Sequence, residues 1–324
     1  MTIHITRRTI LHGLAGGAAF AVGGCAAVGR AGPALGNAAK PPLPGLQLYM
    51  LGDAWVRDPS GTFAVLAATG YREIELPQVP ADADAIAVAA REAGLAIASV
   101  HLGSGRFAPK GRLSLDSGIA EIVDALGKLG AAAAVLPMMP APASASFSGS
   151  RPFGAALQAA VAAEGADYWK RLAAWLNERG AALASHGIAI GYHNHNIEFA
   201  PVADTTGFDL LLSHCDAKIV RFELDIGWVT TAGLDPAALL DRLKGRAALL
   251  HLKDVAAGTP VNFALETKPA IAGTGIVDWP RVLAAARRAG VRHAFVEQEP
   301  PFSIARIEAA NRNFAYFDRM GFWR

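Results

Sequence analysis

Cysteine is almost absent from this sequence, with only Cys25 and Cys215 in 324 residues. Cys25 lies in an N-terminal segment that we expect to be removed, so Cys215 has no partner for an intramolecular disulfide. A lone cysteine of this kind is more commonly a small buried apolar residue than a metal ligand. Stability must therefore come from a hydrophobic core, for which 52% hydrophobic residues provide the material.

An excess of charge of either sign is also missing, because 30 basic and 28 acidic residues leave a formal net charge of +2. The charges are dispersed, and no segment forms the concentrated basic face that is typical of nucleic-acid binders. A phosphate-binding P-loop is absent as well, and no Arg/Lys cluster lies in the final loops. We therefore expect neither a nucleic-acid partner nor a phosphorylated substrate.

The N-terminal segment has the pattern of a twin-arginine export signal. Arg7 and Arg8 precede a stretch that is rich in alanine and glycine and poor in leucine. We predict a signal peptide over residues 1–39 and an exported, periplasmic domain over 40–324, with no stable membrane span in the mature form. Two alternatives stay open: a transmembrane anchor, which the glycine content disfavours, and lipidation at Cys25.

After the Pro-rich start of the mature chain, short apolar strands alternate with helical stretches to the end. The predicted strands are 46–50, 73–76, 96–101, 133–136, 188–193, 219–225, 248–251 and 294–297. The predicted helices include 83–93, 119–129, 168–185, 236–243 and 279–289, several of which end at glycine. Eight such units predict a parallel sheet closed into a single-domain (β/α)8 TIM barrel. The rival is an open doubly wound sheet, but the glycine-rich dinucleotide turn is missing after the first strand.

One connection is unusually long. Residues 138–165, after the fourth strand, contain alternating Pro, Ala and Ser and then an Ala-rich piece. Connections of this length are commonly functional or disordered. A substrate lid and a floppy insertion are both open at this stage.

Polar side chains gather where the last four strands end. Because side chains alternate along a strand, each of these strands places two polar residues on one face. The pairs are His193 with His195, Glu223 with Asp225, His251 with Lys253, and Glu297 with Glu299. A single strand-end histidine is more commonly a hydrogen-bonded polar residue than a ligand, but four successive strand ends of ligand type favour a metal site. His193, Asp225, His251 and Glu297 would form a mixed nitrogen and oxygen site suited to one divalent ion: Mn, Zn, Co, Fe or Mg.

The last third of the chain resembles the xylose-isomerase-like family of sugar isomerases and epimerases. The resemblance rests on the run from His251 to Asp254, the Gly-x-Gly loop from Gly273 to Asp278-Trp279, and a final strand ending in Glu297. It extends over about residues 46–320. In relatives, Glu, Asp, His and Glu from strands five to eight hold the metal.

By position, these ligands fall on His193, Asp225, His251 and Glu297, and the chain departs from the family pattern at two places. His193 stands where many relatives have Glu. Trp228 stands where many have His, which would replace a polar group by a stacking surface for a sugar ring.

The resemblance implies a metal-dependent isomerase or epimerase of a sugar or keto-sugar, acting through an enediolate. Elimination is the alternative chemistry, as in inosose dehydratases and 3-keto-glycoside lyases of the same superfamily. The candidate catalytic residues are Glu299, Glu297, His195 and Lys253, and the candidate substrate-binding residues are His101, Glu75, Trp228 and Asn194. Lys253 would bind an oxyanion, or else form a salt bridge with Asp225 or Asp254. His101 and Glu75 could equally be structural.

Two other functions compete with this interpretation. An endonuclease-IV-like phosphodiesterase barrel would need clustered metals and a basic surface, and the balanced charge argues against it. A non-catalytic exported sugar-binding barrel would keep aromatics such as Trp228 and Tyr49 but show no turnover. The oligomeric state is left open by the sequence.

Overall fold

The computed structural model describes residues 41–108 and 110–324. The predicted signal peptide at 1–39 lies outside the described residues, so export stays a prediction. Within the described part, no helix combines the length and apolar character needed to cross a membrane.

Eight parallel strands close into a barrel, with each strand hydrogen-bonded to two neighbours and the first paired with the last. The barrel strands, β1 to β8 in chain order, are Leu43–Gln47, Glu73–Leu76, Ala96–His101, Ala133–Leu136, Ala189–His193, Val220–Asp225, Ala247–Leu252 and His293–Val296. The predicted TIM barrel is confirmed. Because all strands run the same way, their carboxyl ends meet at one end of the barrel.

Helices surround the barrel on its outside. In chain order, α1 to α10 are Ala54–Arg57, Pro59–Thr69, Ala83–Glu92, Ile119–Leu129, Phe153–Ala184, Gly207–His214, Ile226–Thr231, Pro236–Arg242, Trp279–Ala289 and Arg306–Arg319. Short 3-10 helices at Leu48–Leu51, Gly105–Phe107 and Ile197–Phe199 follow β1, β3 and β5. Two-residue antiparallel pairings join Pro201–Val202 to Thr205–Thr206 and Asp254–Val255 to Pro269–Ala270.

The helix ends follow the local signals of the sequence. In α9, the Asp278 side chain accepts a hydrogen bond from the backbone N–H of Arg281. Gly290 ends the same helix in the left-handed conformation, with φ of 80°. An Asp N-cap and a left-handed Gly C-cap satisfy backbone groups that a helix leaves unpaired, which is why the predicted bounds of α9 are confirmed.

The predicted first strand was placed three residues too late. The structure has β1 at Leu43–Gln47, and Leu48–Leu51 form a 3-10 turn. Pro44 and Gly45 look like strand breakers in the sequence. In the barrel, however, a Cβ at Gly45 would lie 2.7 Å from the Ala294 carbonyl oxygen of β8. Glycine is therefore needed there for the strands to pack.

The connection after β4 is shorter than the sequence predicted. Helix α5 begins at Phe153, so only residues 137–152 are irregular, although 138–165 had been predicted as a connection. The Ala-rich piece has high helix propensity, which is why it continues as helix. Gly165 interrupts α5 with non-helical angles, φ of 63° and ψ of −150°.

Candidate active site

A cluster of buried histidines and carboxylates lies at the carboxyl ends of the strands. Its members come from six strands or from the residues just after them: Glu75, His101, His193, Glu223, Asp225, His251, Lys253, Glu297 and Glu299. Their side chains are 9% exposed or less, except for Glu299 at 19%. The convergence predicted from the strand ends is therefore confirmed.

Three imidazoles surround one carboxylate oxygen in the first part of the cluster. Oε2 of Glu223 lies 3.0 Å from His101 Nε2, 3.1 Å from His193 Nδ1 and 3.3 Å from His251 Nε2. Each of these four residues offers one ligand-type atom, and the four atoms lie within 4.8 Å of one another. Glu223 was missed as a candidate ligand, although its place two residues before Asp225 gave it the same strand face.

A second group shares His251 with the first. Nδ1 of His251 lies 2.7 Å from Glu297 Oε2 and 3.7 Å from Asp225 Oδ2. One ligand-type atom from each of these residues falls within the same 4.8 Å limit. The four predicted ligands are thus divided between two overlapping groups, because His193 lies with Glu223 and reaches Asp225 Oδ2 only at 3.9 Å, through Nε2.

Lys253 inserts a positive charge between three carboxylates. Its ammonium lies 2.9 Å from Asp225 Oδ2, 3.0 Å from Glu297 Oε2 and 3.0 Å from Glu299 Oε1. It also lies 5.1 Å from the ring centroid of Trp228, within cation–π range. Burial alone would lower the pKa of Lys253, but Asp225 and Glu297 outweigh it and hold the pKa well above its usual value.

Two residues predicted to bind substrate have other roles in the structure. Glu75 is fully buried, lies 2.7 Å from His251 Nε2 and accepts hydrogen bonds from Gln47 Nε2 at 3.1 Å and Ser99 Oγ at 2.5 Å. Glu75 therefore orients the imidazole of His251. Gln47 was not nominated from the sequence, because it stood inside a strand that was predicted in another position.

Asn194 is likewise buried and positions a neighbour. Its Oδ1 accepts a hydrogen bond from the backbone N–H of Asp225 at 3.0 Å. Asp225 in turn caps α7 through Oδ1, which accepts from the N–H of Trp228 at 3.0 Å. Because this cap occupies Oδ1 of Asp225, Oδ2 is the oxygen that faces the cluster.

The pKa is raised for some histidines of the site and lowered for others. Burial alone would lower the pKa of His101, but Glu75 and Glu223 outweigh it and raise the pKa to about 9. The pKa of His251 is raised well above its usual range, since Glu223 and Glu297 outweigh its burial. For His195, burial and then nearby His193 hold the pKa well below its usual value, so this imidazole is neutral near pH 7.

The cluster has the chemistry of a cation site. Five carboxylates share one ammonium and the two imidazoles with a raised pKa, His101 and His251, and buried negative charge is costly unless cations compensate it. Among the described residues, Glu223 Oε1 and Asp225 Oδ2 are buried without a hydrogen bond, although Asp225 Oδ2 makes an ion-pair contact with Lys253. Unpaired carboxylate oxygens beside imidazole nitrogens fit a divalent metal ion, which this cluster could therefore hold.

A cavity of about 570 Å³ opens above the cluster. The predicted ligands His193, His251 and Glu297 line it, together with the predicted functional residues His101, His195, Trp228, Lys253 and Glu299. Two ring nitrogens, His195 Nδ1 and Trp228 Nε1, are buried and have no hydrogen-bond partner in the described part of the chain. Both are free to hydrogen-bond a ligand.

The loop that follows Asp254 is held by that single side chain. Asp254 accepts hydrogen bonds from the N–H groups of Val255, Gly273, Gly275 and Val277 and from Trp279 Nε1. A Cβ at Gly275 would lie 2.2 Å from Asp254 Oδ1, so only glycine allows this approach. The predicted alternative of a Lys253–Asp254 salt bridge is not made, because these N–H groups occupy the Asp254 carboxylate.

A further buried acid supports the turn after β5. Glu198 accepts a hydrogen bond from Tyr192 Oη at 2.7 Å and from the backbone N–H of His195 at 3.0 Å. Burial raises the pKa of Glu198 to about 7. Strand periodicity does not extend into this turn, so the sequence alone does not predict this role of Glu198.

The chain matches the family model of xylose isomerase-like TIM barrels over residues 63–319. It belongs to this family. The match spans β2 to β8 and therefore includes all of the strands that carry the cluster.

Two inosose dehydratases are similar to parts of this chain. The one from Clostridium beijerinckii is 35% identical over 89 residues, which cover 28% of this chain and 29% of that protein. The one from Geobacillus thermodenitrificans is 29% identical over 154 residues, or 42% of this chain and 51% of that protein. The alignments thus span about half or less of these relatives.

Among solved structures, a sugar phosphate isomerase/epimerase from Parabacteroides distasonis has a TM-score of 0.67 and 23% identity. The match covers 89% of this chain and 98% of that one. At 23% sequence identity, this similarity supports the assignment of the fold and nothing more specific.

Proposed function

We propose that this protein is a divalent-metal-dependent enzyme that isomerises or epimerises a sugar or keto-sugar through an enediolate. The observation that carries the proposal is the buried histidine and carboxylate cluster, with unpaired oxygens, at the floor of the cavity. Family membership agrees with an enzyme that acts on sugars.

Asp225, His251 and Glu297 would hold the ion, with His193 as the fourth ligand. One ligand-type atom from each of the first three residues lies within 4.8 Å of the other two. His193 Nε2 lies 3.9 Å from Asp225 Oδ2. When bound, a divalent ion polarises the carbonyl and the adjacent hydroxyl of the substrate as a Lewis acid. Lys253 contacts the same oxygens of Asp225 and Glu297, so it competes with the ion for them.

Glu299 is the proposed general base. It is the most exposed of the five carboxylates, with a 19% exposed side chain, while the side chains of Glu297 and Asp225 are 7% and 0% exposed. It lines the cavity directly. A base must reach the carbon-bound proton, and accessibility therefore favours Glu299 over Glu297.

Lys253 would stabilise the negative charge that forms on the substrate oxygen. Its ammonium is already positioned by three carboxylates, and it lines the cavity. A preorganised charge of this kind needs no rearrangement during the reaction. His195 Nδ1 and Trp228 Nε1 would orient the substrate hydroxyls.

The reaction requires only proton transfers. Glu299 takes the proton from the carbon next to the carbonyl, the C–H electron pair forms the new C=C bond, and the carbonyl pair moves to oxygen. Delivery of a proton from water to the other face of the same carbon, with release of the first proton from Glu299 to solvent, gives an epimer. Return of the proton to the neighbouring carbon, with transfer of the hydroxyl proton, gives an isomer.

Dehydration is the second candidate, and the inosose dehydratase relatives favour it. It starts with the same loss of a proton to Glu299. The electron pair then expels the hydroxyl on the next carbon, and that hydroxyl leaves as water with the proton from Glu299. The products, not the first step, distinguish the two candidates.

A phosphorylated substrate is disfavoured by the cavity. Among its described lining residues, Lys253 is the only lysine or arginine, and three carboxylates already neutralise it. The imidazoles of His101 and His251, whose pKa is raised, are likewise paired with carboxylates, so a phosphate would meet no cation without a carboxylate partner. A neutral keto-sugar fits this electrostatic environment.

The test is solvent-deuterium exchange at the carbon next to the carbonyl, followed by NMR with neutral ketoses and keto-cyclitols. We expect exchange with wild-type protein and a loss of about 10²- to 10⁴-fold in Glu299→Gln, which keeps the shape but not the basicity. Glu266→Gln, an exposed change outside the cavity, is the matched control. A twofold loss in Glu299→Gln would remove Glu299 as the base, and no exchange in the wild type would refute the proposal. Formation of an unsaturated ketone would select dehydration.

A further inference from the structure

The cavity is divided into a polar floor and an apolar wall. The floor carries the histidines, Lys253 and the carboxylates described above. The wall consists of the apolar lining residues that follow β2, β3 and β4, with Leu265 from the loop after β7: Pro77, Phe107, Pro137, Met138, Phe153 and Leu265. The mechanism proposed above uses the floor and leaves this wall without a role.

Three phenylalanines from different segments meet in this wall. Phe107 comes from the turn after β3, Phe147 from the connection after β4, and Phe153 from the first residue of α5. Their ring centroids are 6.1, 5.6 and 5.0 Å apart for the pairs 107–147, 107–153 and 147–153. We call these three residues the aromatic rim; Phe107 and Phe153 line the cavity, and Phe153 is 46% exposed.

The rim is fixed in place by its surroundings. The Arg106 guanidinium lies 4.9 Å from the ring centroid of Phe147 and donates a hydrogen bond to the Ala145 carbonyl at 2.6 Å. This arginine is therefore committed to the rim and does not line the cavity. An exposed aromatic surface that is held this firmly is typical of a binding site.

The loop after β7 packs against the rim. Gly154, the residue after Phe153, lies so close to this loop that a Cβ there would lie 1.8 Å from the Ala264 carbonyl oxygen and 3.0 Å from Leu265 Cβ. Leu265 has a positive φ of 61°, a strained conformation for leucine. Its N–H is held by Asn196 Oδ1 at 3.1 Å, and its side chain lines the cavity. Strain is retained here at an apolar side chain beside the rim.

The cavity is larger than one sugar ring requires. At about 30 Å³ per water molecule, 570 Å³ holds on the order of 19 waters, whereas a hexose has about 12 non-hydrogen atoms. A ring bound at the polar floor therefore leaves the space beside the rim to be filled. A second sugar there would bury hydroxyls against a wall without polar side chains, which is costly.

We infer that the substrate has two parts: a sugar ketone that binds the polar floor, and a planar apolar substituent, such as an aryl group, that packs against the aromatic rim and Leu265. The first part rests on the proposed function. The second rests on the rim, the strained Leu265 and the volume of the cavity. The chemical class is therefore an oxidised aryl glycoside or a similarly substituted cyclic ketone.

The experiment is calorimetric titration of the metal-free, full-length protein with methyl β-D-glucopyranoside, phenyl β-D-glucopyranoside and cellobiose. We expect the phenyl glucoside to bind about tenfold or more tightly than the methyl glucoside, because the ring adds buried apolar area. Phe107→Ala and Phe153→Ala should each reduce the ratio of the phenyl glucoside affinity to the methyl glucoside affinity by about threefold or more. Phe153→Leu should reduce this ratio by less. Val65→Ala, on the exposed face of α2, should leave the ratio unchanged.

Each outcome bears on the inference separately from the proposed function. Equal affinities for the phenyl and methyl glucosides, or a ratio that survives both alanine substitutions, would overturn the inference. Cellobiose binding as tightly as the phenyl glucoside would replace the apolar group by a second sugar. Deuterium exchange with unsubstituted ketoses tests the proposed function alone, so either claim can fail while the other stands.

Discussion

Lys253 shows how far one residue depends on its packing. Its ammonium is buried yet charged, because Asp225, Glu297 and Glu299 surround it. The aliphatic part of the side chain lies against Gly227, where a Cβ would come within 2.7 Å of Lys253 Cγ and 2.9 Å of Cδ. The missing side chain at position 227 therefore sets the position of the ammonium.

Gly227→Ala should displace Lys253 without breaking the helix that carries it. Gly227 lies in α7, where alanine has the higher helix propensity, so the loss comes from the contact with the lysine stem. If Lys253 stabilises the oxyanion, we expect deuterium exchange to fall by about 10²-fold or more. Gly127→Ala in α4, where a Cβ meets nothing within 4 Å, is the control. Unchanged exchange in Gly227→Ala would show that the lysine position is unimportant.

Glu198 makes stability depend on pH. Its pKa of about 7 in the folded protein exceeds the ordinary value of 4.5, because the carboxyl group is buried. Between these two pH values the folded state binds a proton that the unfolded state has lost. The contribution of this group is therefore fully present below pH 4.5 and is lost as pH rises through about 7, for a difference of about 3 kcal/mol.

Glu198→Gln should remove that dependence. We expect the free energy of unfolding of the wild type, measured with denaturant, to fall by up to about 3 kcal/mol more than that of the variant between pH 4.5 and pH 8. Glu266→Gln, which is exposed, should follow the wild type. Parallel pH profiles for Glu198→Gln and the wild type would contradict the raised pKa.

Residue identity alone predicted much of the site, and the errors have a common cause. The alternation of side chains along a strand places Asp225 and Glu223 on the same face. It does not predict how far along the barrel axis each side chain lies. In the structure Glu223 lies among three imidazoles, while Asp225 faces His251 and Lys253. Depth along the barrel axis also bears on Glu75, for which the sequence left substrate binding and a structural role open and which lies in hydrogen-bond contact with His251.

At the scale of elements, the loop from Gly273 to Trp279 is held by Asp254. Five N–H groups donate to this one carboxylate. Asp254→Ala would leave these donors, two of them buried and three part-buried, without their acceptor, so we expect a loss of about 3 to 5 kcal/mol in the free energy of unfolding. Asp278→Ala, which removes only an exposed helix cap in the same loop, should cost about 1 kcal/mol. Similar losses in the two variants would refute the account of Asp254.

Strands and helices were predictable where local pattern and packing agree. Glu73–Leu76, Ala96–His101 and Ala133–Leu136 have the predicted bounds, because apolar runs between glycine-ended helices fit buried parallel strands. The start of α5 at Phe153 was missed, since Pro and Ser dominate the residues before it. The aromatic rim could not be predicted from local pattern, because Phe107 meets Phe147 and Phe153 only through the pairing of β3 with β4 and the course of the loops that follow them.

For the whole molecule, the barrel explains why residues far apart in sequence act together. Glu75 and His251 are 176 positions apart yet lie in hydrogen-bond contact, because closure makes strand ends converge. Eight apolar strands supply the stability, and this allows a cluster of costly buried charges at one end. The central claim is that a divalent cation compensates this charge.

Metal content tests that claim most directly. Elemental analysis of the purified full-length protein, with native mass spectrometry, should find one divalent ion per chain, removable by a chelator and restored by reloading. Asp225→Asn and His251→Gln should each lose it, because both remove a ligand next to Glu297, whereas Glu198→Gln should retain it. A wild type that binds no divalent ion on reloading, or full occupancy in both ligand variants, would contradict the account.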